Sequence, residues 1–345
     1  MTTFIEQQLQ HHPNIKPQDV LKMCFQAAYG AEHLLTNLER VRGYLADEFE
    51  RTSPTNEPLC ELIAPEVCRV NIGAWKKLNL PQDWLFNIFV EAAKVQMSDD
   101  FYGYVNQWLE YAQNNSGHTL AFSLEEMKKT LEEYEKICDG KPQAVHHSQH
   151  YRDHEKPAYR VVSGAFVRLV PILGALAGKN GGVIAIDGRA ASGKTTLAAG
   201  LKAVLGAEII HMDDFFLPQE LRTAERLAEL GGNIHYERFA EEVLPNLGKR
   251  EYEYQKFDCS TMAYNGTRKI SKADWYVVEG SYSHHPHFGN YATVKILSTI
   301  DPTTQMERIL TRNGKKMAKM FAEKWIPMEE KYLSSLPPNH DTVRV

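Results

Sequence analysis

Residues 182–196 read GVIAIDGRAASGKTT, and this run constrains the chain more than any other part of it. A near-continuous apolar stretch has the pattern of a strand buried on both faces. It passes without a linker into Gly188-x-x-x-x-Gly193-Lys194-Thr195, and KTTLAAGLKAVL continues as a helix-forming run. Two glycines at that spacing let backbone N–H groups curl around phosphate oxygens. Lys194 reaches the outer phosphates, Thr195 offers a hydroxyl to Mg²⁺, and the opening helix points its positive end at the anion. Gly188, Ala190, Ala191, Ser192, Gly193, Lys194, Thr195 and Thr196 are therefore the expected contacts to a nucleoside triphosphate. A plain glycine-rich turn accounts less well for a strand on one side and a helix on the other.

The rest of the chain falls into two halves. With 345 residues, 43% of them hydrophobic, it can bury two cores. Residues 1–140 read as an all-α domain. Leu34, Leu38, Val41 and Leu45 recur at helical spacing, as do Leu85, Ile88, Phe89 and Ala92. Pro81 sits like a first-turn proline, Ser123 with Glu126 makes a capping box, and Gly140 follows as a stop. Gly30 lies inside a helical pattern, which suggests close packing, and His33 reads as a core or cleft residue. Residues 141–180 read as a polar linker and one connecting helix. From 181 to 345, short β-rich runs (GVIAIDG, AEIIHM, WYVVEG, VKILSTI, TVRV) alternate with helical stretches, so an α/β parallel sheet covered on both faces is expected.

Charge and cysteine content exclude several classes. The net charge is −5 with both signs interspersed, which leaves no electrostatic footprint for nucleic acid. No apolar run approaches the roughly 18–20 residues of a membrane span, and the N-terminus lacks the features of a signal peptide. Five scattered cysteines without C-x-x-C spacing read as reduced thiols of a cytoplasmic protein. Association into homo-oligomers stays open.

The second acidic signal is EIIHMDDFFLP, residues 208–218. A strand beside the phosphate loop that ends in Asp213 and Asp214 can place a carboxylate where an acceptor hydroxyl must lose its proton. Asp213 is the candidate base, against the alternative of a helix cap; Asp214 is a weaker candidate, because one acid suffices. The following aromatic pair, Phe215 and Phe216, would begin an acceptor pocket. WYVVEG ends in Glu279 at the carboxyl edge of the sheet, where ligands of open α/β sheets bind, and Glu279 with Thr195 and Asp213 is the expected Mg²⁺ set. Arg308 and Arg312, four residues apart with Lys315, Lys316 and Lys319 beyond, read either as a lid that neutralises the transferring phosphoryl group or as a basic helix face. The guanine-reading N-K-x-D pattern of GTPases is missing, so a kinase of a small molecule is favoured.

Taken in order, GRAASGKTT, MDDFF, YERF, FDC, VVEG and RILTRNG resemble the uridine kinase-like branch of P-loop kinases, which includes nicotinamide riboside kinases, pantothenate kinases and phosphoribulokinases. The resemblance covers residues 181–345. It implies Asp213 as base, Glu279 in the metal site, and Arg308 and Arg312 in a lid. It also implies Glu237 as a ribose-hydroxyl ligand, flanked by Tyr236 and Arg238. Phe257 and Asp258 match an acceptor-binding pair, but KFDCSTMAYN lacks the histidine by which uridine kinases read a pyrimidine. The implied cofactors are ATP and Mg²⁺, and the implied acceptor is a nucleoside or related riboside. A pantothenate-like or sugar-phosphate alcohol is the alternative acceptor, and a nucleotide sensor with a partner-binding helical domain the alternative function. His146, His147, His150 and His154 form a cluster that suits hydrogen bonding better than metal binding, because no cysteine or glutamate keeps matching spacing.

Overall fold

The computed structural model describes residues 4–31, 35, 37–115, 120–336 and 342–345. The chain divides into two compact units, Met1–Val170 and Pro171–Val345.

The first unit carries helices α1 (Phe4–His11), α2 (Pro17–Tyr29) and α3 (Leu38–Arg51), strands β1 (Cys60–Ala64) and β2 (Val67–Asn71), helices α4 (Ile72–Lys77), α5 (Gln82–Ala92), α6 (Phe101–Asn114), α7 (Leu124–Cys138) and α8 (Gln149–Glu155), and strand β3 (Tyr159–Ser163). The expected face of α5 forms, whereas on α3 only Leu45 is buried, with Val41 half-buried and Leu38 exposed. Leu85, Ile88, Phe89 and Ala92 are buried along α5, and Ser123 and Glu126 exchange hydrogen bonds of 3.1 and 2.6 Å at the start of α7. Leu34 and His33 lie outside the described residues. Gly30 is a stop instead of an interior residue: its φ of 60° ends α2 while its N–H still reaches the Gln26 carbonyl.

The all-α expectation needs correction. β1, β2 and β3 form an antiparallel sheet in that order, with Cys68 opposite Leu62 and Val162. Its strands are five residues long, and Arg69 interrupts the apolar pattern of β2. Such runs are too short, and each carries a charged residue (Glu61, Arg69, Arg160), to declare themselves by alternation. Arg69 is nonetheless buried. It donates to Gln26 Oε1 at 3.1 and 2.9 Å, and its guanidinium lies over the Tyr159 ring. The segment read as linker thus supplies α8 and β3 to the first unit. His147 is buried there, 2.8 Å from Asp19 Oδ1 and 2.7 Å from the Tyr159 hydroxyl, so it is a hydrogen-bonded core histidine. The rings of His150 and His154 meet on α8 at 4.2 Å between centroids, tilted by 35°, and His146 precedes that helix.

The division between units falls within helix α9 (Leu169–Ala175). After it come β4 (Gly182–Gly188), α10 (Lys194–Leu205), β5 (Glu208–His211), α11 (Ala224–Ala228), α12 (Tyr236–Glu242), β6 (Tyr252–Asp258), β7 (Ala263–Ile270), β8 (Trp275–Glu279), β9 (Val294–Ser298), α13 (Pro302–Met320), α14 (Ile326–Ser335) and β10 (Val343–Arg344). Five strands form a parallel sheet in the order β10-β9-β4-β8-β5, so the strand leading into the phosphate loop is central. Helices flank it, as the sequence implies, with α10 packed on β4, β5 and β8. Val183, Ile210, Tyr276 and Val278 share a core with Phe215, Phe239, Tyr254 and Tyr332. β6 and β7 make a separate antiparallel hairpin that the sequence did not announce: β7 is mostly exposed, so its residues carry no apolar period.

Candidate active site

The parallel register decides which side chains meet. Ile186 pairs with Glu279, and Glu279 with His211, so the carboxyl ends of β4, β8 and β5 come level. Neighbours in register point to the same face. Glu279 and His211 therefore emerge together, and their side chains lie 2.5 Å apart. Thr195, in the first turn of α10, donates its hydroxyl to Glu279 Oε2 at 3.2 Å. A threonine hydroxyl and a carboxylate brought together are hard oxygen donors, the set that Mg²⁺ prefers.

The loop itself is shaped by backbone conformation. Gly188 has φ of 132°, and a Cβ there would stand 2.0 Å from the Ser298 carbonyl oxygen. Only glycine fits. Ala191 holds a φ of 59°, a strained setting for a side-chain-bearing residue. Asp187, fully buried at the end of β4, accepts from the N–H groups of Tyr282 at 3.1 Å and His284 at 2.9 Å and from the Tyr332 hydroxyl at 2.6 Å. It ties the turn after β8 to the loop, a role the sequence left hidden inside an apolar strand. Lys194 folds back onto the loop and donates to the carbonyls of Gly188 and Arg189 at 2.7 and 2.9 Å. Those bonds keep its charge satisfied and positioned beside the cradle.

The loop, Thr195, Glu279 and Asp213 line one cavity of about 1190 Å³, together with Phe216, Arg222, Arg308 and Arg312. Asp213 stands on the wall of this cavity with its side chain exposed to it. Partial desolvation by the protein around it lifts its carboxyl above the ordinary aspartate range; Glu279 adds to the lift, and Lys194 and His211 oppose it. A carboxyl poised upward beside a phosphate cradle has the character of a proton acceptor. Arg308 reaches the Ala191 carbonyl at 3.3 Å, whereas Arg312 contacts its neighbour Asn313. α13 carries one non-helical residue, Gly314, and a π-turn over Phe321–Trp325 joins it to α14. Phe321 and Trp325 face the same cavity.

Several expected acceptor contacts lie elsewhere. Phe215 is fully buried, packed on Phe239 and Tyr254, while Phe216 faces the cavity; of the aromatic pair, the second is the one available to a ligand. Glu237 is taken by Arg226 in a two-pronged ion pair of 2.6 and 2.9 Å, and Tyr236 stacks on His285. Arg238 is buried over the Phe215 ring and bound to Glu242 at 2.7 Å. The YERF segment thus builds α12 and its packing, and none of the three lines either cavity described here. Asp214 is buried and accepts from Arg268 Nε at 2.8 Å and from the Tyr254 hydroxyl at 3.1 Å. Phe257 and Asp258 do line a second cavity, of about 320 Å³, with Asp213, Asp214, Lys256, Asn265 and Arg268. Asp213 and Cys259 border both cavities.

A phosphate loop between the central strand and the first flanking helix of a five-stranded parallel sheet makes the second unit a P-loop NTPase fold. No family model matches the sequence, and no curated protein matches it. Among solved structures the chain is similar to a uridine kinase candidate from Bacillus stearothermophilus, at 20% identity and a TM-score of 0.37, covering 49% of this chain and 92% of that one. It is also similar to a fructose transport system kinase candidate from Silicibacter sp., at 20% identity and a TM-score of 0.42, covering 50% of this chain and 94% of that one. Among the described residues, no helix is long and apolar enough to cross a membrane.

Proposed function

We propose that the second unit is an ATP-dependent kinase that moves a phosphoryl group to the hydroxyl of a small molecule. The observation that carries this reading is a single cavity bounded by the phosphate loop, the Thr195–Glu279 pair and the raised carboxyl of Asp213. ATP phosphates would be held by loop N–H groups and Lys194. Thr195 and Glu279 suit a Mg²⁺ ion, which when bound supplies charge neutralisation to the phosphates.

Asp213 accepts the proton of the acceptor hydroxyl as its oxygen attacks the γ-phosphorus. The bond from that phosphorus to the bridging oxygen breaks, and ADP leaves with the electron pair. Arg308, on leaving the Ala191 carbonyl, and Arg312 bring positive charge to the phosphoryl oxygens as they separate from ADP.

For the acceptor, the resemblance supports a nucleoside or related riboside. A non-nucleoside, polyhydroxylated alcohol has one specific observation in its favour. The smaller cavity beside Asp213 is lined by three carboxylates, two cations and an amide, with Phe257 as its one aromatic ring. Such a lining favours hydroxyl recognition over stacking of a flat base. The test is acceptor-dependent ADP release from Mg²⁺-ATP with a panel of ribonucleosides, nicotinamide riboside, pantothenate, free sugars and sugar phosphates, with Asp213→Asn as blank. One acceptor raising turnover well above the blank supports transfer and identifies its class. Tight ATP binding with no response across the panel favours a nucleotide sensor instead.

A further inference from the structure

The third residue of the phosphate loop is held from outside the loop. Ala190 donates its N–H to both carboxylate oxygens of Glu329 on α14, at 2.9 and 2.8 Å. Ser281 Oγ and Gln305 Nε2 each reach the same carboxylate at 3.3 Å, and Gln305 also donates to the Ala190 carbonyl at 3.2 Å. The N–H groups of Ala190 and Gln305 can only donate, so they favour the ionised carboxylate. Next to it, Arg189 makes a two-pronged pair with Glu330 at 2.6 and 3.0 Å. Glu329 is 5% exposed; burial lifts its carboxyl above the ordinary glutamate range, while Lys194 and the Ala190 N–H oppose the lift. A buried carboxylate held by donors therefore stands against a cradle whose ligand is itself polyanionic.

We propose that Glu329 is a positioning residue with two opposed effects: its hydrogen bonds hold the phosphate loop in its cradling shape, and its charge limits how tightly nucleotide is retained, so that product can leave. This rests on the reading of the loop as a nucleotide-phosphate site. Two substitutions separate the effects. Glu329→Gln keeps the shape and an oxygen that can accept from Ala190, but removes the charge. Glu329→Ala removes the hold altogether.

The measurement is Mg²⁺-ADP affinity of the full chain by calorimetry, with Lys194→Ala as the check on the site. Glu329→Gln is expected to bind about 5-fold more tightly, the size of one partly screened like-charge repulsion. Glu329→Ala is expected to bind about 10-fold more weakly, as the loop loses the bond that fixes it. Should Glu329→Ala fail to fold, Gln305→Leu replaces it, with the same weakening expected. If the wild type binds, Lys194→Ala does not, and Glu329→Gln is unchanged or weaker, the proposal is overturned while the phosphate site stands. If Lys194→Ala binds as well as the wild type, or neither binds, the phosphate-site reading fails and this inference fails with it.

Discussion

Asp213 and Asp214 are adjacent in sequence, yet their surroundings predict opposite consequences for the same substitution. Asp214 is buried, with Arg268 at 2.8 Å and Tyr254 at 3.1 Å as its donors. Replacing it with Asn keeps the shape and an acceptor oxygen but turns an ion pair into a hydrogen bond to a neutral amide, leaving the Arg268 charge without its counter-ion. The Arg268 side chain is 33% exposed, so water partly compensates it, and the net cost is about 2 kcal/mol instead of the larger loss expected for a sealed pair. For a unit of this size, roughly 2–4 °C of melting temperature accompanies each kcal/mol. Asp213→Asn works the other way. Its folded-state pKa is raised, so the stability it contributes is fully present below the ordinary aspartate range and is lost as pH rises through the folded value. Once ionised, Asp213 is held at some cost, which its exposure keeps small, and Asn relieves it.

The expected result is that Asp213→Asn melts above the wild type at pH 7, with the gap closing as pH falls, while turnover drops by roughly 10²–10⁴-fold. Asp214→Asn melts below the wild type and retains most of its turnover under conditions where it is folded. Thermal scans across pH, paired with ADP release, decide the matter. If Asp214→Asn loses turnover as severely as Asp213→Asn without losing stability, the assignment of roles is wrong.

The remaining expectations are shorter. Glu279→Gln removes the like charge beside Asp213, so the acidic limb of the pH–rate profile moves to lower pH, and it also raises the Mg²⁺ concentration needed for half-maximal rate; an unmoved limb argues against electrostatic coupling of the two acids. Phe215→Ala destabilises by about 3–5 kcal/mol through the cavity left in the core, whereas Phe216→Ala leaves the melting temperature within about 1–2 kcal/mol equivalents and raises the acceptor KM. Gly188→Ala abolishes nucleotide binding, measured by calorimetry, because its Cβ has nowhere to go beside the Ser298 carbonyl.

What the sequence made legible was what is short-range or carried by fixed spacing. The strand–loop–helix of GVIAIDGRAASGKTT is contiguous, so its geometry is written in one string. The placement of Asp213 and Glu279 at one edge of the sheet was readable because each follows or ends a buried run, and runs in a parallel sheet end at one edge. The errors arose where a residue type was right for two environments. Phe215 and Phe216 are the same side chain one position apart, and only the path of the chain after β5 decides which is core. Glu237 has a carboxylate suited to ribose hydroxyls, but Arg226, eleven residues earlier, reaches it first. No local pattern in the sequence records such a partner. The same holds for β1, β2 and β3: β3 pairs with β2 across some 90 residues of chain, and no local period announces that.

The site's most constraining feature is register. Glu279 stands beside His211 and within reach of Thr195 because Ile186, Glu279 and His211 are aligned across β4, β8 and β5. A slip of one residue in β8 would send Glu279 to the opposite face, towards the core containing Tyr276 and Val278, and bring an apolar side chain to the loop. Trp275 at one end of β8 and the glycine at position 280 at the other guard against such a slip. Trp275 is 4% exposed, so a shift would have to move a large buried ring. At Gly280 a Cβ would lie 2.8 Å from Met212 Cβ, a spacing only glycine tolerates. The apolar strand that builds the core therefore also aims the carboxylate, and substitutions deep in β8 that leave every cavity-lining residue intact are expected to act on the Mg²⁺ concentration needed for turnover as well as on stability.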